Sequence, residues 1–173
     1  MKKSPAQGRP APGSGLDSIR EAVASGWKPP VARLLGFRLT GIERGRASIE
    51  LDAGPEHHNP MGTLHGGVIC DIADAAMGMS FASLLRSDES FTTVELKVNF
   101  LRPFWSGRLL AKGRVIKKGR SMGLVECRVT DEGRRLVAFA TSTCLTLGGS
   151  EALGLTRAKR ERTVRTPPQR RVA

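Results

Sequence analysis

Three cysteines, Cys70, Cys127 and Cys144, are all that the 173 residues contain. An odd number with no C-x-x-C pair and no Cys/His clustering argues against a disulfide framework and against a zinc site. Cys70 and Cys144 lie in apolar stretches and read as buried small residues. No apolar run approaches the ~18–20 residues that a membrane span requires. The amino-terminal MKKSPAQGRPAPGSG has two lysines but no apolar stretch behind them, so it does not read as a secretory signal. A cytoplasmic location is the resulting expectation. Phosphate-binding P-loops, dinucleotide fingerprints and metal-ligand clusters are also missing, so neither a metal nor a separate cofactor is expected.

What is present fits one soluble domain. The length suffices for one core, and 39% hydrophobic with 25% charged residues is a globular composition. The net charge of +12 would suggest nucleic acid if it were spread evenly. It is not. Residues 1–15 carry +3 and residues 151–173 carry +5, leaving +4 for the middle. Both ends are poor in large apolar residues and are expected to be disordered basic tails, at 1–15 and 149–173, around a folded domain at 16–148. With a +4 middle and no recognition motif, nucleic acid is not an expected partner.

Residues 16–28 read as a short amphipathic helix, with Leu16, Ile19, Val23 and Trp27 near helical spacing and Pro29-Pro30 as its stop. Short β-like runs follow from Leu34 to Leu51, broken by Gly41 and Gly45. A polar loop spans residues 52–64. From Gly66 to about Leu85 there is no proline, and Ile69, Ile72, Ala73, Ala76, Met77, Ser80 and Leu84 form a helical stripe. Asp71 and Asp74 interrupt it. The period then switches to two: in VELKVNFL, Val94, Leu96, Val98 and Phe100 are expected on one face, and Glu95, Lys97 and Asn99 on the other. Three more strand-like segments follow, with turns at Gly119-Arg120 and at 131–133. Consecutive strands with no helix between them exclude a parallel βαβ sheet. The expected class is α+β, an antiparallel sheet wrapped around one long helix.

The segments N-P-M-G-T-L-H-G-G (59–67), I-A-D-A-A-M-G (72–78) and T-V-E-L-K-V-N-F-L-R-P (93–103) together closely resemble the hotdog-fold acyl-CoA thioesterases, in particular the phenylacetate-degradation (PaaI-like) type. The resemblance covers about residues 34–147. It implies hydrolysis of an acyl-CoA to a carboxylic acid and CoA, with CoA as part of the substrate.

Gly66 and Gly67 open the helix, where free N–H groups and the positive dipole end suit an oxyanion. Close packing of loop on helix would explain the same glycines. Asp74 lies two turns into an apolar helix, where a carboxylate is costly unless paired or used. The resemblance gives it the catalytic role, as general base toward water or as nucleophile. Asp71, where most of the family has no acid, is expected to be a bystander. The resemblance also places Asn59 near the water or the substrate carbonyl, and His65 as support for the loop or the carbonyl. His57 and His58 match no role. Thr93 matches a Ser/Thr that positions the water, with Thr92 competing because the preceding loop is one residue longer than in some relatives. Gly78 stands where Arthrobacter-type 4-hydroxybenzoyl-CoA thioesterases carry a hydroxyl, which favours the Asp/Thr arrangement over theirs. The turn at Lys117, Lys118, Gly119, Arg120 and Ser121 offers charge and backbone amides for the phosphates of CoA, or is an ordinary basic hairpin. Acyl-pocket shape is expected to depend on Met61, Met77, Phe81 and a partner chain.

Nine residues of helix rise about 13 Å, so His65 and Gly66 cannot serve the same carbon as Asp74 of the same chain. A homodimer with the site at its two-fold interface is expected, and a homotetramer is compatible with it. The rival reading is a non-catalytic acyl-CoA-binding hotdog module, a ligand sensor. The segment before the first strand is too short for the DNA-binding unit that such sensors carry, and a sensor needs no helix carboxylate. A hotdog hydratase would need an Asp/His pair that is not evident.

Overall fold

The computed structural model describes residues 14–148. The expected tails at 1–15 and 149–173 fall outside these residues, except for Ser14 and Gly15, which belong to the fold. Ser14 caps the first helix, α1 (Gly15–Ala24), its Oγ accepting from the Asp17 N–H. The Gly15 N–H donates to the Leu85 carbonyl at 2.7 Å. A β-carbon at position 15 would collide with the Ala82 carbonyl, so this close approach requires glycine.

α1 ends four residues before the expected boundary at Lys28. Pro29-Pro30 does not simply stop the chain: Pro30 begins a second short helix, α2 (Pro30–Leu35). Its missing N–H has no helical partner to lose at the first position. Gly36, at φ +77°, closes the helix in the left-handed region. Leu34 and Leu35, expected in the first β-like run, are therefore helical.

The remaining elements are β1 (Arg38–Glu43), β2 (Arg46–Ala53), α3 (Gly66–Ala82), β3 (Glu89–Phe100), β4 (Gly107–Lys118), β5 (Met122–Asp131) and β6 (Leu136–Gly148). They form one antiparallel six-stranded sheet in the order β1-β2-β4-β5-β6-β3, with the long helix packed against it. This is the α+β hotdog architecture that the sequence led us to expect. Alternation builds the inner face: Ile49 and Leu51 on β2, Leu109 and Ala111 on β4, and Val125, Cys127 and Val129 on β5 are all buried. From α3, Ile72, Ala73, Ala76 and Met77 meet them with no exposed surface.

Two details fix the helix on the sheet. Gly113 of β4 lies directly under α3, where a β-carbon would collide with the Ala76 carbonyl. Past the helix end, the Ser83 Oγ donates to the Ser80 carbonyl and accepts from the Gly45 N–H, both at 2.7 Å. The β1–β2 turn is thereby tied to α3. Of the two cysteines expected to be buried, Cys144 is buried and Cys70 only partly so, because its place on the first turns of α3 leaves one side open.

β3, an edge strand, departs from strict alternation. Opposite β6, Thr93 pairs with Cys144 and Glu95 with Thr143, which leaves Val94 as the extra residue of a β-bulge. Val94 is 57% exposed rather than sharing the inner face with Leu96 and Val98. Phe100, also expected on that face, is 54% exposed at the strand end. No helix among the described residues is long and apolar enough to cross a membrane.

Candidate active site

Asp74 occupies the third turn of α3. It lies on the side of the helix turned toward α1 and α2, within reach of β3. With Asp71, Ala75 and Gly78 it lines a cavity of about 500 Å3, walled on the far side by α1 and α2. The small residues at positions 75 and 78 leave room for this space. Gly78 also gives room to Phe91 of β3, whose ring would stand 3.0 Å from a β-carbon there.

The bulge at Val94 decides which threonine meets the carboxylate. Thr93 turns inward and its Oγ1 donates to Asp74 Oδ1 at 2.9 Å, while Thr92 is exposed. Behind Thr93 lies the buried Cys144, with its Sγ 3.9 Å from the Ser142 Oγ. Burial, more than any other influence, pushes the Cys144 thiol up. It packs as a neutral group.

Asp71, one turn earlier, is exposed and has no hydrogen-bond or ion-pair partner among the described residues. Partial burial, and then the nearby charge of Asp74, holds its carboxyl above the usual range.

Asn59, His65 and Gly66 gather at the other end of the motif, at the start of α3. Asn59 organises its own turn: its Oδ1 accepts from the Met61 and Thr63 N–H groups, and its Nδ2 donates to Thr63 Oγ1 at 2.9 Å. His65 caps α3, its Nδ1 accepting from the Gly67 N–H at 2.9 Å. In the neutral ring this places the hydrogen on Nε2, leaving a donor at the exposed edge. The Gly66 N–H has no acceptor among the described residues. A β-carbon on Gly66 would lie 3.0 Å from the Phe100 ring, so close packing and an available donor coexist there. His57, without a role in the sequence, is a buried brace: Nδ1 accepts from the Gly54 N–H and Nε2 meets the Leu35 carbonyl.

Within one chain, Asp74 and Thr93 come together, while Asn59 lies in the turn before α3 and His65 and Gly66 at its start. The two groups remain apart, because eight residues of helix rise about 12 Å. Met61, Met77 and Phe81 do not shape the cavity beside Asp74. Met77 and Phe81 are wholly buried in the core and Met61 is 83% exposed on the loop. No residue pattern marks α1 and α2 as this wall, because a wall is a long-range placement that periodicity does not encode.

Lys117 and Lys118 end β4, and Gly119, Arg120 and Ser121 form the turn, closed by the Gly119 N–H donating to the Met122 carbonyl at 2.7 Å. Lys118 Nζ stands 5.8 Å from the centre of the Phe81 ring. Both lysines line an open hollow together with Arg44 of the β1–β2 turn and Arg46 at the start of β2. Those arginines were missed; the Arg-Gly-Arg run at 44–46 was the available signal. Arg120 and Ser121 do not line the hollow. No group of three His, Cys, Asp or Glu among the described residues could hold a metal ion.

The family model of the thioesterase superfamily matches residues 61–138, from the loop before α3 into β6. The proofreading thioesterase EntH of Klebsiella pneumoniae is 30% identical over 112 residues, 64% of this chain and 82% of EntH. The chain belongs to the thioesterase superfamily. Within it, the 1,4-dihydroxy-2-naphthoyl-CoA hydrolase of Listeria monocytogenes is 29% identical over 109 residues, 63% of this chain and 89% of that enzyme. Among solved structures, a phenylacetic acid degradation-related protein of Ralstonia eutropha superposes with a TM-score of 0.66 at 29% identity, covering 72% of this chain and 97% of that one. This superfamily member is thus a hotdog thioester hydrolase of the phenylacetate-degradation, PaaI-like type.

Proposed function

We propose that the protein hydrolyses acyl-CoA thioesters with Asp74 as its catalytic carboxylate. The observation that carries this reading is a single one: a half-buried carboxylate, held by Thr93, opens onto an apolar cavity. Thr93 occupies Oδ1 and leaves Oδ2 free to accept a proton from water as its oxygen attacks the thioester carbon. Direct attack by Asp74, forming an anhydride that water then opens, uses the same geometry. In either route the carbonyl oxygen gains charge, the C–S bond breaks, and the thiolate of CoA takes up a proton.

The Gly66 N–H and the His65 Nε2–H are the proposed donors to that oxygen, with Asn59 holding the loop that presents them. Since one chain separates these donors from Asp74, the partner copy must supply them. The proposed homodimer pairs through β3, whose outer edge offers unpaired N–H and C=O groups. Exposed Val94, Leu101 and Trp105 lie on or just after this strand and would be covered. A homotetramer would add a second contact. Lys117 and Lys118, joined by Arg44 and Arg46, are the proposed holders of the CoA phosphates, with Gly119, Arg120 and Ser121 at the turn. The proposed location is the cytoplasm, where the three free thiols would stay reduced.

Thiol release from a panel of acyl-CoAs, including phenylacetyl- and benzoyl-CoA, tests the reading. Asp74→Asn should lower kcat on the order of a thousandfold, and Asp71→Asn by less than about tenfold. Tight binding of acyl-CoA without cleavage would instead establish a ligand sensor.

A further inference from the structure

α1 contributes no buried residue, yet Ile19, Ala22 and Val23 turn toward the cavity onto which Asp74 opens, and Trp27 continues that wall. Ala75 and Phe91 stand opposite. The wall is fixed at both ends: Gly15 is bonded to Leu85, while Ala32 and Phe37 are buried in the core. Between these anchors, side-chain size at the middle of α1 sets how deep the cavity runs.

We propose that this cavity takes the acyl group, that the preferred acyl group is apolar and of medium length, and that the α1–α2 wall sets this length. The proposal rests on the hydrolase reading, with Asp74 at the reacting carbon. A cavity of about 500 Å3 lies within the usual size of ligand pockets. At about 30 Å3 per water-sized group the cavity has room for about 17 such groups, and a chain that fills half to three-quarters of it has roughly eight to twelve carbons. An acetyl group would leave most of the cavity unfilled. A palmitoyl chain would outrun it and press on α1. Both carboxylates sit on the α3 wall, and apolar contact with the chain is shared between the α1–α2 side and Leu39, Ile49 and Phe91 of the strands.

The experiment compares kcat/KM for straight acyl-CoAs from acetyl to palmitoyl. In the unaltered protein the value should climb about fourfold per methylene, the change that corresponds to about 0.8 kcal/mol of burial. It should peak between octanoyl and dodecanoyl and then fall. Ala22→Phe should lower the octanoyl-to-butyryl ratio about tenfold or more, and Trp27→Ala should move the peak to longer chains. A variant that merely fails to fold lowers both values and leaves their ratio alone, so the ratio reads the wall itself. Hydrolysis that peaks at acetyl, or a ratio unmoved in both variants, overturns the pocket assignment while leaving the hydrolase reading intact. Absence of thiol release from every chain length overturns the hydrolase reading and this inference together.

Discussion

The two sides of α3 are built to opposite standards. Toward the strands, Ile72, Ala73, Ala76 and Met77 are fully buried, and Gly113 is needed merely to let the helix backbone sit down. Toward α1 and α2, Asp71, Asp74, Ala75 and Gly78 face a cavity of about 500 Å3. Close packing on one side supplies the rigidity that lets the other side remain open, with a polar group in it, at little risk to the fold. A single helix thus serves as core and as one wall of the candidate site.

Substitutions can test this division. Gly113→Val should destabilise the protein by about 3 kcal/mol, since neither the β4 backbone nor the Ala76 carbonyl can retreat. Urea unfolding would measure it; a loss below 1 kcal/mol would mean that the sheet side is looser than described. Thr93→Val removes the donor to Asp74 and keeps the shape. Its kcat should fall about tenfold, as expected for a hydrogen bond to a charged group worth about 1.5 kcal/mol. A KM effect with kcat intact would argue that Thr93 touches substrate rather than the carboxylate. Asp71→Asn should have the smallest effect. The Asp71 carboxyl is raised in the folded state, so its charge weakens the fold once the pH exceeds the ordinary carboxylate value near 3.9. The variant should therefore gain no more than about 0.5 kcal/mol at neutral pH and nothing below about pH 3. Chemical denaturation at both values decides the sign.

Much of this was legible in the residues. The helix from Gly66 announced itself by its unbroken apolar stripe and the strands after it by the turn signals between them, and the H-G-G and A-D-A segments mark the two ends of the candidate site. Three things were not. Pro29-Pro30 read as a stop because a proline that ends one helix and one that begins the next look alike in sequence; the Arg33 N–H donating to the Pro29 carbonyl is what shows α2 to be a helix. Strict alternation through VELKVNFL puts Thr92, not Thr93, on the inner face, and only the bulge reverses this. The cavity wall joins residues 19–27 to residues 71–78, a pairing that no local pattern records.

The bulge at Val94 gives β3 one residue of slack. Removing Val94 would close the ladder from Thr93 directly to Glu95, and both Thr93 and Leu96 would still face as they do now. Elsewhere in the strand, a gained residue would turn every side chain on one side of it to the opposite face. A change in length is therefore harmless at this one place and ruinous a few residues away. Natural variation in the length of this strand should collect at the bulge, with the threonine beside Asp74 undisturbed.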